Sequence, residues 1–171
     1  MRVLAPEEGE LALRIARGAL DAHLAGMAYR LPPVPGVFSE KRGVFVTLTE
    51  RGLLRGCIGL PLPVLPLGDA LVEAAVSAGT GDPRFPPVCR EEMREIHVEV
   101  TVLSVPEPLT CQPAERPRHV EVGRHGLIMR GEGEERPAPP AGGHRVRVDC
   151  RRVPGAHLRE VGAPPRVLEV P

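Results

Sequence analysis

Apolar residues recur at helical spacing near the start of the chain. Leu13, Ala16, Leu20, Leu24 and Met27 follow i, i+3, i+4 steps, so the pattern predicts a helix from Pro6 to about Tyr29. Pro6 suits the first turn, and Glu7 and Glu8 suit the positive end of the helix dipole. "LPPVPG" ends that run, and the alternation of "GVFVTL" predicts a strand over Gly43 to Leu48. Glu50-Arg51-Gly52 reads as a hairpin turn into a second strand, Leu53 to Ile58. The prolines of "LPLPVLPL" bar a central strand and make that stretch a connector. Leu71, Ala74, Ala75 and Ala78 mark the buried side of a second helix, Gly68 to Ala78. "GTGDPRFPPV" is a stiff loop, and Glu91 to Glu95 suits one helical turn. In "IHVEVTVLS", Ile96, Val98, Val100 and Val102 face one way while His97, Glu99 and Thr101 face the other, the signature of a half-buried strand. "HVEVGRHGLIM" predicts a turn at Gly123 to Gly126 and a further strand. Hairpins with separated helices define an α+β class with a largely antiparallel sheet.

Composition then narrows what such a chain can do. The 171 residues are 42% hydrophobic, enough for one core or two small subdomains sharing an interface. Formal net charge is zero and aromatic content is 2%, so neither a phosphate-neutralising stripe nor a base-stacking platform is visible, and nucleic acid is a poor fit as partner. No apolar run reaches bilayer-spanning length, and the first residues lack the long apolar centre of a signal peptide, so a cytoplasmic location is expected. Cys57, Cys89, Cys111 and Cys150 show no paired spacing and read as free thiols. There are 21 arginines to one lysine and no asparagine, which speaks of genome and habitat rather than of activity.

Candidate chemistry concentrates in "LLRGCIGL" and "DPRFPP". In an extended strand Arg55 and Cys57 share a face, so a guanidinium would neighbour a thiol and favour the thiolate. Gly56 and Gly59 would permit close approach of backbone or ligand. Two readings of Cys57 stand side by side, a nucleophile or modification site, and a small packed side chain. Asp82 can open a turn through its carboxylate, with Pro83, Pro86 and Pro87 stiffening it. Phe85 then reads as a core anchor and Asp82–Arg84 as a local brace, or Asp82 and Arg84 reach a ligand or partner at a cleft. His97 and Glu99 sit two apart on one strand face, better suited to a solvated face than to a metal site. No phosphate-loop, nucleophile-elbow, zincin or dinucleotide fingerprint is present, and no cofactor or metal is expected.

Taken together, "GVFVTL…LLRGCIGLPLPVLPL", "DPRFPPV" and "EIHVEVTVLSVPEPL…VEVGRHGLIM" resemble the AMMECR family, and within it protein A of the AmmeMemoRadiSam system. The resemblance spans roughly Gly43 to Arg130. It implies an α+β fold of two unequal subdomains around a cleft, with no established biochemical activity. It also implies a pathway shared with a Memo-like protein and a radical-SAM enzyme. On that basis the site is Arg55, Gly56, Cys57, Gly59, Asp82, Arg84, Phe85 and His97, acting as an accessory or binding module. The competing reading makes Cys57 the nucleophile of an enzyme acting on a small anionic substrate.

The resemblance implies an AMMECR-like domain over residues 1–135, incomplete at its C-terminal end, and 136–171 form a Pro/Arg-rich tail of different character. From Arg136 that tail holds seven prolines and seven arginines against three acids, with no sustained period. Read one base later, the residue pairs from Arg136 permit Gly-Leu-Leu-Leu-Pro-Gln-Val-Ala, which resembles the family's missing strand. A Trp is permitted at Val148-Asp149. The tail is expected to be an out-of-frame, poorly ordered translation, in which case His144, Cys150 and His157 carry no function; the other reading is a divergent, Pro-rich tail.

Overall fold

A computed structural model describes residues 4–121, 125–129 and 166–170. Helix α1 runs over Pro6–Leu24. The Glu8 carboxylate accepts the Ala5 N–H at 2.8 Å, which satisfies an otherwise orphaned donor at the helix start. Its buried face is Ala12, Ile15, Ala16, Ala19 and Leu20. The helix stops five residues before the expected Tyr29. Gly26 adopts φ +69, Met27 N–H bonds Ala22 C=O and Gly26 N–H bonds His23 C=O, a Schellman closure. Met27, assigned to the stripe by spacing, is consequently exposed.

A short 3-10 turn, Gly36–Ser39, buries Val37 and Phe38 and leads to β1, Val44–Glu50. Strand β2, Leu53–Leu60, returns antiparallel. Arg51 and Gly52 carry φ 51 and 79, both left-handed, as a two-residue hairpin turn of the primed kind requires. Helix α2, Leu67–Thr80, follows the proline connector. A 3-10 turn at Glu92–Arg94 precedes β3, Ile96–Val102, which pairs antiparallel with β1 on its other side. The sheet order is therefore β2-β1-β3.

One face of this sheet carries the main core. Val44, Val46 and Leu48 are fully buried with Ile15, Leu20, Leu67, Leu71, Ala74 and Phe38 beneath α1 and α2. Ile58, Val98, Val100 and Val102 pack against the same cluster, as their alternation predicts. Gly56 lies where α2 crosses the sheet. A Cβ there would sit 2.1 Å from the Ala78 carbonyl oxygen, so only glycine allows this approach.

The second sheet differs from the expected antiparallel pattern. Short strands β4, Glu107–Pro108, and β5, His125–Met129, each pair in parallel with β6, Arg166–Val170, in the order β4-β6-β5. The four-residue helix α3, Arg116–His119, lies between β4 and β5 in the chain. Two small apolar clusters accompany this region, one of Leu103 and Ile128 with Phe45 and Leu62, the other around Leu109 with Cys111, Val120 and Leu127. Strand β6 belongs to the stretch read as a tail, where no strand was expected. The rest of that tail, and the first half of the turn expected at Gly123 to Gly126, lie outside the described residues, while His125 and Gly126 already belong to β5. No helix among the described residues is long and apolar enough to cross a membrane.

Candidate functional site: the interlock of the LRGCIG strand and the DPRFPP turn

The two motifs meet at the outer edge of β2. Cys57 lies opposite Thr47 of β1, and its own N–H and C=O point away from β1. Its N–H donates to Asp82 Oδ2 at 2.8 Å, and its C=O accepts from an Arg84 terminal nitrogen at 3.2 Å. Asp82 also accepts the Arg84 backbone N–H at 3.1 Å, the side-chain-closed turn expected of Asp-Pro-Arg, and two guanidinium N–H bonds at 2.9 and 2.7 Å. The turn thus offers β2 one acceptor and one donor, as a neighbouring strand would. Asp82 is buried with four hydrogen bonds, and the Arg84 guanidinium foremost holds its carboxyl down to about 2, with the Cys57 N–H adding to the effect.

Arg55 forms a second clasp. Its guanidinium grips Glu92 bidentately at 2.8 and 3.1 Å and donates to the carbonyls of Pro86 and Pro87 at 2.8 and 3.3 Å. Paired first with Arg55, the Glu92 carboxyl is lowered to about 2, and it also accepts the Cys89 N–H at 2.7 Å. Arg55 was expected beside the thiol, but its donors go to Glu92 and the proline carbonyls. The ladder explains this, because the register shifts between Leu48 and Thr49 and leaves Arg55 without an opposite residue.

The Cys57 side chain instead rests on the second face of the sheet. Cys57 is half-buried, and the Thr47 hydroxyl lies 3.3 Å from its sulfur. Thr47 in turn pairs with Glu99 of β3, so Cys57, Thr47 and Glu99 form one cross-strand row. His97 is exposed in the next row, opposite Thr49. On the same face, in the row beyond Cys57, Gly59 lies under the Phe45 ring, where a Cβ would come within 2.3 Å of a ring carbon. Phe85 is partly exposed and outside the core. Its ring lies 5.5 Å from the Arg84 guanidinium carbon, so it braces that cation rather than anchoring the interior.

Arg55, Gly56, Cys57, Asp82, Arg84 and Phe85 therefore gather at one seam. Gly59 lies further along the same strand, and His97 belongs to the far strand of the sheet. Pattern reading missed Glu92 and Thr47. Glu92 is one of several acids in "REEMRE", and nothing local marks it as the partner of Arg55. Counting back from the Arg51-Gly52 turn puts Gly56 opposite Thr47, and only the bulge moves Cys57 there. Among the described residues, no group of three His, Cys, Asp or Glu is placed to hold a metal ion.

The AMMECR1 family model matches residues 13–138, and the chain belongs to that family. A protein of Methanothermobacter thermautotrophicus is 56% identical over 129 residues, covering 74% of this chain and 67% of the relative. A protein of Methanocaldococcus jannaschii is 49% identical over 132 residues, covering 75% and 66%. An uncharacterized protein from Pyrococcus horikoshii, known from its crystal structure, superposes with a TM-score of 0.70 at 45% identity, over 73% of this chain and 65% of that one. The chain thus spans about two thirds of the length of these relatives.

Proposed function

We propose that this AMMECR-domain protein is an accessory binding module, whose contact surface is the seam between the two motifs and the adjoining polar sheet face. One observation carries this reading. Arg55, Asp82 and Arg84 are all spent on holding the turn to β2, so they shape the surface and the half-buried Cys57 is displayed upon it. The family resemblance points to a Memo-like protein and a radical-SAM protein as partners. The test is affinity capture with those two purified proteins, comparing the wild type with Cys57→Ser and Arg55→Ala, each checked for folding by circular dichroism. Loss of a specific partner in either variant supports the module, and undiminished binding in both moves the contact elsewhere.

A second reading rests on the Thr47–Cys57 contact, which orients the sulfur as a nucleophile would need. In it, Cys57 attacks a small anionic substrate. Mass spectrometry after exposure to small anionic electrophiles decides it. Adduct at Cys57 in preference to the exposed Cys89 favours an enzyme, and the reverse order removes this reading.

A further inference from the structure

The two edges of the first sheet are finished differently, and the unfinished one carries an inference. Because Cys57 directs its N–H and C=O away from β1, the alternation of an antiparallel ladder turns Thr47 toward β3 and Glu99 back toward β1. Ile96, Val98, Val100 and Val102 then direct their backbone groups outward. Two contacts agree with this parity: Leu103 N–H bonds Gly43 C=O inside the sheet, and Arg17 donates to the Ile96 C=O outside it at 2.8 Å. Arg17 also bonds the Met93 C=O and so closes the edge at the start of β3. Beyond it, among the described residues, nothing bonds the outward groups of Val98 and Val100, and no strand lies alongside. The seven residues Ile96–Val102 contain no proline, lysine or arginine, which are the usual guards of a sheet edge.

We propose that this edge is an interface with a second copy of the chain, the two β3 strands pairing antiparallel about a twofold axis at Val100. The open groups and Glu99 narrow the register. Pairing Val98 with Val102′ and Val100 with Val100′ (primes mark the second copy) uses the run that Arg17 leaves open and leaves Arg17 in place. Shifting so that Val98 meets Val100′ sets Glu99 against Glu99′, two like charges in direct opposition. Shifting to Val98 against Val98′ requires Ile96 C=O, which Arg17 occupies. In the Val100 register Glu99 faces Thr101′, a hydroxyl donor, twice across the axis. The apolar sides of both strands stay on the helix-covered face. The result is a continuous six-stranded sheet, whose polar face carries two Cys57–Thr47–Glu99 rows related by the axis. This pairing is independent of whether the motif seam binds a partner.

Sedimentation equilibrium on the full chain, over a range of concentrations, tests the pairing. The wild type is expected to dimerise. Val100→Pro is expected to be monomeric and folded, because the N–H it removes faces outward and β1 does not use it. Thr101→Glu sets Glu99 against a second carboxylate, from the other copy, at two symmetric positions and should weaken dimerisation about tenfold. Adding Glu99→Lys should restore it. A wild type that stays monomeric overturns the proposal, whether its Val98 and Val100 amides exchange freely or are protected by other parts of the chain. A dimer that both Val100→Pro and Thr101→Glu leave intact also overturns it, by placing the interface elsewhere. If Val100→Pro proves unfolded, the Thr101→Glu and Glu99→Lys pair alone decides the outcome.

Discussion

Strands β2 and β3 flank the same central strand, yet among the described residues one outer edge is closed by side chains from a loop and the other keeps its backbone groups open. At β2, Asp82 and Arg84 supply the acceptor and donor that a further strand would bring, and Arg55 ties the next stretch of the loop to Glu92. At β3, among the described residues, Arg17 closes the first carbonyl alone. The difference teaches what the signature residues are for. The charges of Arg55, Asp82 and Arg84 are spent on finishing an edge. A closed edge keeps its shape when a partner arrives, which suits a recognition surface.

Breaking the closed edge should produce the largest effects. Asp82→Ala leaves the Cys57 N–H without its acceptor beside a buried site and releases the exposed Arg84 guanidinium to solvent, and should cost about 2–3 kcal/mol in urea unfolding. Arg55→Ala strips Glu92 and two proline carbonyls of their donors and should cost about 2 kcal/mol by the same measurement. Arg55→Lys should recover little, since a point charge cannot replace the bidentate grip.

Acid should loosen the same edge without mutation. Asp82 is lowered from its ordinary 3.8 to about 2 when folded. A carboxyl with a depressed folded pKa stabilises above its unfolded value and loses that contribution as pH falls through the folded one. Urea midpoints should therefore drop between about pH 4 and pH 2, with Asp82 accounting for about 2 kcal/mol. Asp82→Asn should start less stable and decline less over that range. The smallest effect sharpens the comparison rather than breaking it. Thr47→Val removes the hydroxyl beside the sulfur, and should change stability by about 1 kcal/mol or less while leaving both edges intact.

Much of this frame was legible from residue spacing, because α2 and the strands of the first sheet are coded by local periodicity. Ile96–Val102 alternates cleanly and forms β3 over the predicted residues. The helix ending at Leu24 was less legible, because Gly26 acts through a backbone conformation that apolar spacing does not report. The site divided in the same way. The side-chain-closed turn at Asp82 follows from Asp-Pro-Arg itself, whereas the grip of Asp82 on Cys57, 25 residues away, depends on how α2 delivers the loop to the sheet. The Arg55–Glu92 pair depends on a one-residue bulge. The parallel pairing of β6 with β4 and β5 joins segments far apart in the chain, a relation that no local pattern carries.

The contrast between the edges can be read at two backbone amides. In native-state hydrogen exchange on protein diluted enough to be monomeric, the Cys57 N–H, held by buried Asp82, should exchange slowly. The Val100 N–H should exchange as a free amide. Equal and rapid exchange at both positions would contradict the account, because the Asp-Pro-Arg turn would then not be closing the β2 edge.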